Sequence, residues 1–193
     1  MCLKILEDSR FYALLLRFDA DLAAIARDSG CSCGGTLHSA SYGRKPRGWV
    51  VAQPDGYDRR HSFCCAEEGC RKRTTPASVR FLGPKVYLGG VVALVTALRH
   101  GANARRASEL RRAIGASRRT LARWRTWWRE AFTATPFWRA ARAQWVPAVS
   151  EPALPASLLE RFVEGEALMR LVRLLEFINP VTTSSGGRNS MGG

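Results

Sequence analysis

The chain reads as an α+β protein, a small β module followed by a mainly α helical bundle. Three observations predict this. Between positions 31 and 75, short runs of strand-forming residues ("TLHSASY", "WVVAQ", "RRHSFCC") are separated by "GRKPRG" and by the Pro-Asp-Gly turn of "PDGYD". From position 85 the apolar residues recur at helical spacing, and Gly101-Ala102-Asn103 and Gly115-Ala116-Ser117 divide the run into three or four helices. Cysteines flank the β-rich stretch in two pairs, each with glycine beside it.

Residues 1–30 read as a helical lead-in, with Leu22, Ile25 and Ala26 at helical spacing behind Asp19 or Asp21 as the cap. The β module follows over 31–75 and the helical region over 76–146. Within the latter, the 13 residues Val86 to Leu98 are apolar nearly all round. That run is too short to span a bilayer and fits a central buried helix. Pro147, Pro152 and Pro155 mark a linker over 147–155. An amphipathic helix over 156–179 carries Leu168, Leu171, Val172, Leu175 and Ile178 on one face, and a Gly/Ser-rich tail, 180–193, is expected to be disordered.

At the N-terminus, acids precede the apolar stretch of "MCLKILEDSRFYALLLRF" and no small-residue cleavage site follows. A signal peptide is not expected, so the chain is expected in the cytoplasm and off the membrane. Six cysteines in a reducing compartment should be thiols or metal ligands, not structural disulfides.

The charge is strongly uneven. Residues 71–150 hold 17 Lys and Arg against two acids, Glu109 and Glu130, a net of +15, while the rest of the chain sums to −1. A composition bias toward arginine would raise it everywhere. A local field of this size favours a polyanion, and nucleic acid above others.

The cysteines have the layout of a zinc ribbon, in which two tight turns each offer two thiolates to a tetrahedral ion and a hairpin framework lies between them. "CSCGGTLH" supplies Cys31 and Cys33, with Gly34 and Gly35 able to take the positive φ of such a turn. "CAEEGC" supplies Cys65 and Cys70, and the 31 residues between the pairs hold the three strand candidates. The spacings are C-x-C and C-x4-C where C-x-x-C is usual. Cys64 could replace Cys65, although neighbours on a strand face opposite ways and only one should meet the ion. His38 and His61 are further substitutes. The bland alternative is small buried residues in a core. No open coordination position or nearby base is evident, so the Zn2+ would be structural.

"ASELRRAIGASRRTLARWRTWWREAF", residues 107–132, has the form of a helix-turn-helix. Leu110 and Ile114 line a short helix, Gly115 makes the turn, Ser117 caps the next helix, and Leu121, Trp124 and Trp128 continue its buried face, with Ser117 and Ala131 on the same side. The opposite face and its margins carry Arg118, Arg119, Ala122, Arg123, Thr126 and Arg129. Arg118, Arg119 and Arg123 are best placed for base edges, since the guanidinium fork matches the O6/N7 pair of guanine. Arg105, Arg106, Arg111 and Arg112 on the preceding helix suit phosphates. Arg71, Lys72 and Arg73 would add phosphate contacts beside the second cysteine pair. The bland alternative is an arginine-rich solvated face, but such faces usually alternate in sign.

The order of these parts resembles the zinc-ribbon and helix-turn-helix DNA-binding regions of bacterial transposases and of small proteins carried by mobile elements. The resemblance covers roughly residues 30–146. It implies metal binding by Cys31, Cys33, Cys65 and Cys70, and DNA contact by the helix from Ser117. It departs at C-x-C and at Arg111, where such motifs usually have a small residue. A catalytic core of three carboxylates has no counterpart here, so the chain is not expected to be an enzyme. The expectation is a sequence-specific, double-stranded DNA-binding protein that assists transposition or regulates transcription. The competing expectation is an interaction module, in which 156–179 docks a second copy or a transposase and the basic region gives only general retention on nucleic acid.

Overall fold

The computed structural model describes residues 2–48, 51–82, 87–96, 108 and 111–183, and the fold is α+β. Helix α1 (Cys2–Leu6) leads into α2 (Ser9–Asp28). The cap of α2 is Asp8, whose carboxylate accepts the Arg10 N–H at 2.9 Å. The helix thus begins about three turns before the expected Asp19 or Asp21, because Phe11, Tyr12, Leu15 and Ala23 already form its buried stripe. Ile25, expected on that stripe, is 64% exposed.

Among the described residues, five short strands make the β module. Strand β1 (Leu37–Ser39), β4 (Phe63–Cys65) and β5 (Arg73–Thr74) form an antiparallel sheet in the order β1-β4-β5. Strand β2 (Tyr42–Gly43) pairs separately with β3 (Arg59–Arg60) as a two-stranded ribbon. The Pro-Asp-Gly turn is where the sequence put it: the Tyr57 N–H donates to the Pro54 carbonyl at 3.1 Å, and Gly56 takes φ +74°. Of "WVVAQ", residues 51–53 are not a strand, and 49 and 50 lie outside the described residues.

This module has little apolar material of its own. Its buried cluster is Ala23 from α2 with Cys31, Leu37, Phe63 and Cys65. It is joined to the helices by a buried ion pair, Arg80 Nε to Asp19 Oδ2 at 2.7 Å, both side chains fully buried. Burying two charges is costly unless their hydrogen bonds are satisfied. Here Arg80 also donates to the Tyr57 carbonyl at 2.5 Å and the Arg59 carbonyl at 3.0 Å. Asp19 accepts the Ser78 hydroxyl at 2.6 Å and the Val79 N–H at 2.7 Å. The pair therefore clamps α2 to the ribbon and to the strand-like run before α3.

Helix α3 (Gly89–Thr96) is the central element, with Val91, Val92, Ala93 and Val95 buried. Gly90 lets it approach closely: a Cβ there would lie 2.8 Å from Phe11 Cζ and 3.7 Å from Leu175 Cδ1. Residues 111–114 are helical (α4), and α5 (Arg118–Thr126) follows after a turn. Helix α5 widens into a π-helical turn over Trp127–Phe132. That turn carries more residues than 3.6, so the buried face passes from Trp128 to Phe132 and leaves Ala131 exposed. Ser117 is likewise exposed, and its hydroxyl caps α5. Trp128 then meets Phe132 edge-on at 5.0 Å between ring centroids, and Phe132 meets Trp138 of α6 (Pro136–Ala141) at a tilt, 5.1 Å apart.

The C-terminal part is packed onto this body. Within 147–155, Val149 and Leu154 are buried. The helix expected over 156–179 is two helices, α7 (Ala156–Leu159) and α8 (Ala167–Ile178), with Gly165 at φ +83° between them. The apolar face of α8 (Leu171, Val172, Leu175 and Ile178) is buried in the same cluster as α3, so the surface expected to dock a partner is occupied by the chain itself. Of the tail, residues 180–183 continue the chain, and Thr182 Oγ1 accepts the buried Ser78 N–H at 2.8 Å. Residues 184–193 lie outside the described residues.

Candidate metal centre and nucleic-acid interface

The four expected thiols converge. Cys31 Sγ lies 3.6 Å from Cys70 Sγ, Cys33 Sγ lies 3.5 Å from Cys65 Sγ, and all four sulfurs are within 4.8 Å of one another. A tetrahedron with metal–sulfur bonds of ~2.3 Å has edges of about 3.8 Å, so the arrangement suits a four-coordinate ion. The donor set is all sulfur, which selects a soft or borderline metal.

Local structure explains each position. In the first turn the Gly34 N–H donates to the Cys31 carbonyl at 2.8 Å and the Cys31 N–H to the Gly35 carbonyl at 3.0 Å. Gly34 takes φ +85°, as expected. Gly35 serves a different purpose, because a Cβ there would lie 2.8 Å from Cys65 Sγ and 2.5 Å from Glu67 Cγ. It makes room for the sulfurs, which is how so short a C-x-C spacing closes on the other pair. In the second turn the Cys70 and Arg71 N–H groups both donate to the Glu67 carbonyl at 3.0 Å, and the left-handed residue is Arg71, at φ +46°.

Strand register decides between the adjacent cysteines. Cys65 stands opposite Leu37 and faces the thiol cluster, while Cys64 stands opposite His38 and Arg73 on the other face. Cys64 Sγ instead lies 3.5 Å from the Arg71 carbonyl. Neither His38 nor His61 belongs to the cluster.

The thiols do not titrate alike. The Cys33 backbone N–H, with the neighbouring thiols, lowers the Cys31 thiol to about 6. At Cys65 the Glu67 N–H favours the thiolate, but burial and the neighbouring thiols outweigh it and push the group up to about 12. A cation taken by this set would displace the remaining thiol protons.

Beyond the turn, the helical pair has the expected local geometry. Gly115 takes φ +68°, Ile114 and Ala116 are buried on either side of it, and Ser117 Oγ accepts the Thr120 N–H at 3.2 Å. Leu121, Trp124 and Trp128 are buried. Arg118, Arg119, Arg123, Thr126 and Arg129 are exposed, as are Arg111 and Arg112 on α4. Among the described residues no carboxylate pairs with Arg118, Arg119 or Arg123. Arg105, Arg106 and Leu110 lie outside the described residues. Trp127 is half-buried with its ring 4.8 Å from that of Trp128, so it packs inward.

Arg71, Lys72 and Arg73 are exposed beside the thiols, with Lys72 Nζ donating to Ser32 Oγ at 3.2 Å. One residue that the sequence did not single out is Tyr87. Its hydroxyl donates to the Gly115 carbonyl at 3.0 Å, and its ring meets Trp124 edge-on at 4.9 Å. It thereby fixes the turn between α4 and α5. A tyrosine inside an otherwise aliphatic helix-forming run is the signal, since a buried phenol needs an acceptor.

Among the described residues no helix is long and apolar enough to cross a membrane. No family model, curated protein or solved structure matches the chain.

Proposed function

We propose that the chain is a sequence-specific double-stranded DNA-binding protein stabilised by structural Zn2+ at Cys31, Cys33, Cys65 and Cys70. The observation that carries this reading is the row of exposed arginines on α5, Arg118, Arg119 and Arg123, paired with no carboxylate among the described residues, on a helix with a fixed turn before it. In a major groove these side chains meet base edges, and the buried face of Leu121, Trp124 and Trp128 holds the helix at a set angle. Arg112, Arg71, Lys72 and Arg73 neutralise phosphates. Zinc fits an all-thiolate set of four and supplies folding energy to a module with a small apolar cluster. A place in transposition, as an accessory protein that does not itself cut DNA, rests on the resemblance in module order alone.

Duplex selection with the full chain tests the reading. If about six phosphates are neutralised, log K falls with log[salt] at a slope of roughly −5. Arg118→Ala and Arg119→Ala should each lower affinity for the selected site by about 1–3 kcal/mol and relax its sequence preference. A flat salt response on every duplex sinks the proposal, and a metal assay that finds no zinc removes its structural half.

A further inference from the structure

In the sequence the loop "GRKPRG" only separates two strand candidates, but the structure ties it through Tyr87 to the turn before α5. Resting on the DNA-binding reading above, we infer that Lys45 and Arg47 form a second backbone-gripping element that holds phosphates flanking the groove occupied by α5.

The loop is rigidly seated. Gly48 takes φ +94°, and a Cβ there would lie 3.0 Å from Val91 Cγ1 and 3.2 Å from Tyr87 Cδ1, so the backbone lies directly on α3. Pro46 is buried between its two neighbours, which leaves Lys45 and Arg47 exposed on either side. At the other end the Arg44 N–H donates to the Asp58 carbonyl at 2.8 Å and its guanidinium lies 5.1 Å from the Phe81 ring centroid. Among the described residues no carboxylate pairs with Lys45 or Arg47.

Tyr87 relates the loop to the helical pair. Residue 47 forms a parallel bridge with Tyr87, and the Leu88 N–H donates to the Arg47 carbonyl at 3.2 Å. The hydroxyl of the same Tyr87 binds the Gly115 carbonyl in the turn that opens α5. Arg47 and the start of α5 are therefore separated by one tyrosine side chain. A major groove is about 12 Å wide with phosphates along both rims. A basic element at that separation from the head of a groove-bound helix meets a rim, where Lys and Arg fix register without reading sequence.

The Lys45→Ala/Arg47→Ala double variant tests this, with the selected duplex and a scrambled duplex of equal length as probes. Both side chains are exposed, so the variant should keep its melting temperature and bound zinc. Its salt slope should be shallower by about 2, with affinity for both duplexes falling by the same factor. An unchanged slope overturns the inference while leaving the proposed function intact. A larger loss on the selected duplex overturns the phosphate role in favour of base reading. Wild-type chain without salt-dependent binding defeats the underlying reading instead. Hydroxyl-radical footprinting gives a second readout: in the wild-type chain, sugars on a rim flanking the α5 groove should be protected, and their protection should be lost in the double variant, whereas an identical footprint for both chains overturns the inference.

Discussion

The β module and the helical body are stabilised by different means. The body buries Trp128, Trp138, Phe11, Phe81 and Phe132 around α3, and its cohesion comes from packed aromatic and aliphatic area. Among the described residues, the module's own cluster is Leu37, Phe63, Cys31 and Cys65 against Ala23 of α2, its buried Tyr57 packs into the cluster of the body, and its strands are two or three residues long. Strands so short do not hold together by their own hydrogen bonds. The module instead has a polar clamp at Asp19–Arg80 and four clustered thiols that could hold a metal ion. The difference teaches that a buried charge pair can anchor a module whose own apolar burial is small.

The widest separation between the two regions should come from removing the metal proposed at the four thiols. A strong chelator, or Cys65→Ser, should abolish the β-module amide resonances while most of the far-ultraviolet helical signal remains. Simultaneous loss of both signals would show the regions to be one cooperative unit.

Asp19→Ala acts at the seam. It leaves Arg80 buried without its carboxylate and should cost about 3–5 kcal/mol in chemical denaturation. Asp19→Asn keeps the volume but not the charge and should lose nearly as much. A small loss in Asp19→Asn would mean that volume and hydrogen bonding, not charge, govern the seam.

Ser117→Ala touches only the helical body. It removes the cap on Thr120 N–H and should cost about 1 kcal/mol, with metal content unchanged. His61 gives the smallest effect and belongs to the module. Burial, then the nearby Arg80 charge, depresses its pKa below the ordinary 6.5. The folded form therefore binds fewer protons than the unfolded one as pH drops, so full stability holds above about pH 6.5 and declines on acidification toward the lower folded value. Comparing urea midpoints at pH 7.5 and 5.5 for wild type and His61→Gln checks this, since the thiol contribution is common to both. A wild-type acid loss no greater than the variant's would remove His61 from the account.

Much of this was legible because it is local. The Gly115 turn, the Ser117 cap and the burial of Leu121, Trp124 and Trp128 follow from spacing within a few residues, and the structure has all of them. The grouping of Cys31, Cys33, Cys65 and Cys70 was also legible, since two glycine-flanked pairs around a strand-rich stretch leave few alternatives. The start of α2 was misplaced because Asp19, read as a cap, has an ion-pair partner 61 residues away. The end of the buried face slipped from Ala131 to Phe132 because a π-helical turn adds a residue that ideal periodicity does not contain.

The sequence by itself determined the α+β class, the two cysteine pairs and the one-sided arginine helix, because residue type and short-range spacing set turns, caps and faces. Only the tertiary structure decided that Cys65 and not Cys64 faces the sulfurs, that the face of α8 is already covered, and that Tyr87 ties the "GRKPRG" loop to the helical pair. Each of these depends on which distant segments pack together. Such pairings are fixed by register, volume and buried charge across the whole chain, which no local pattern encodes.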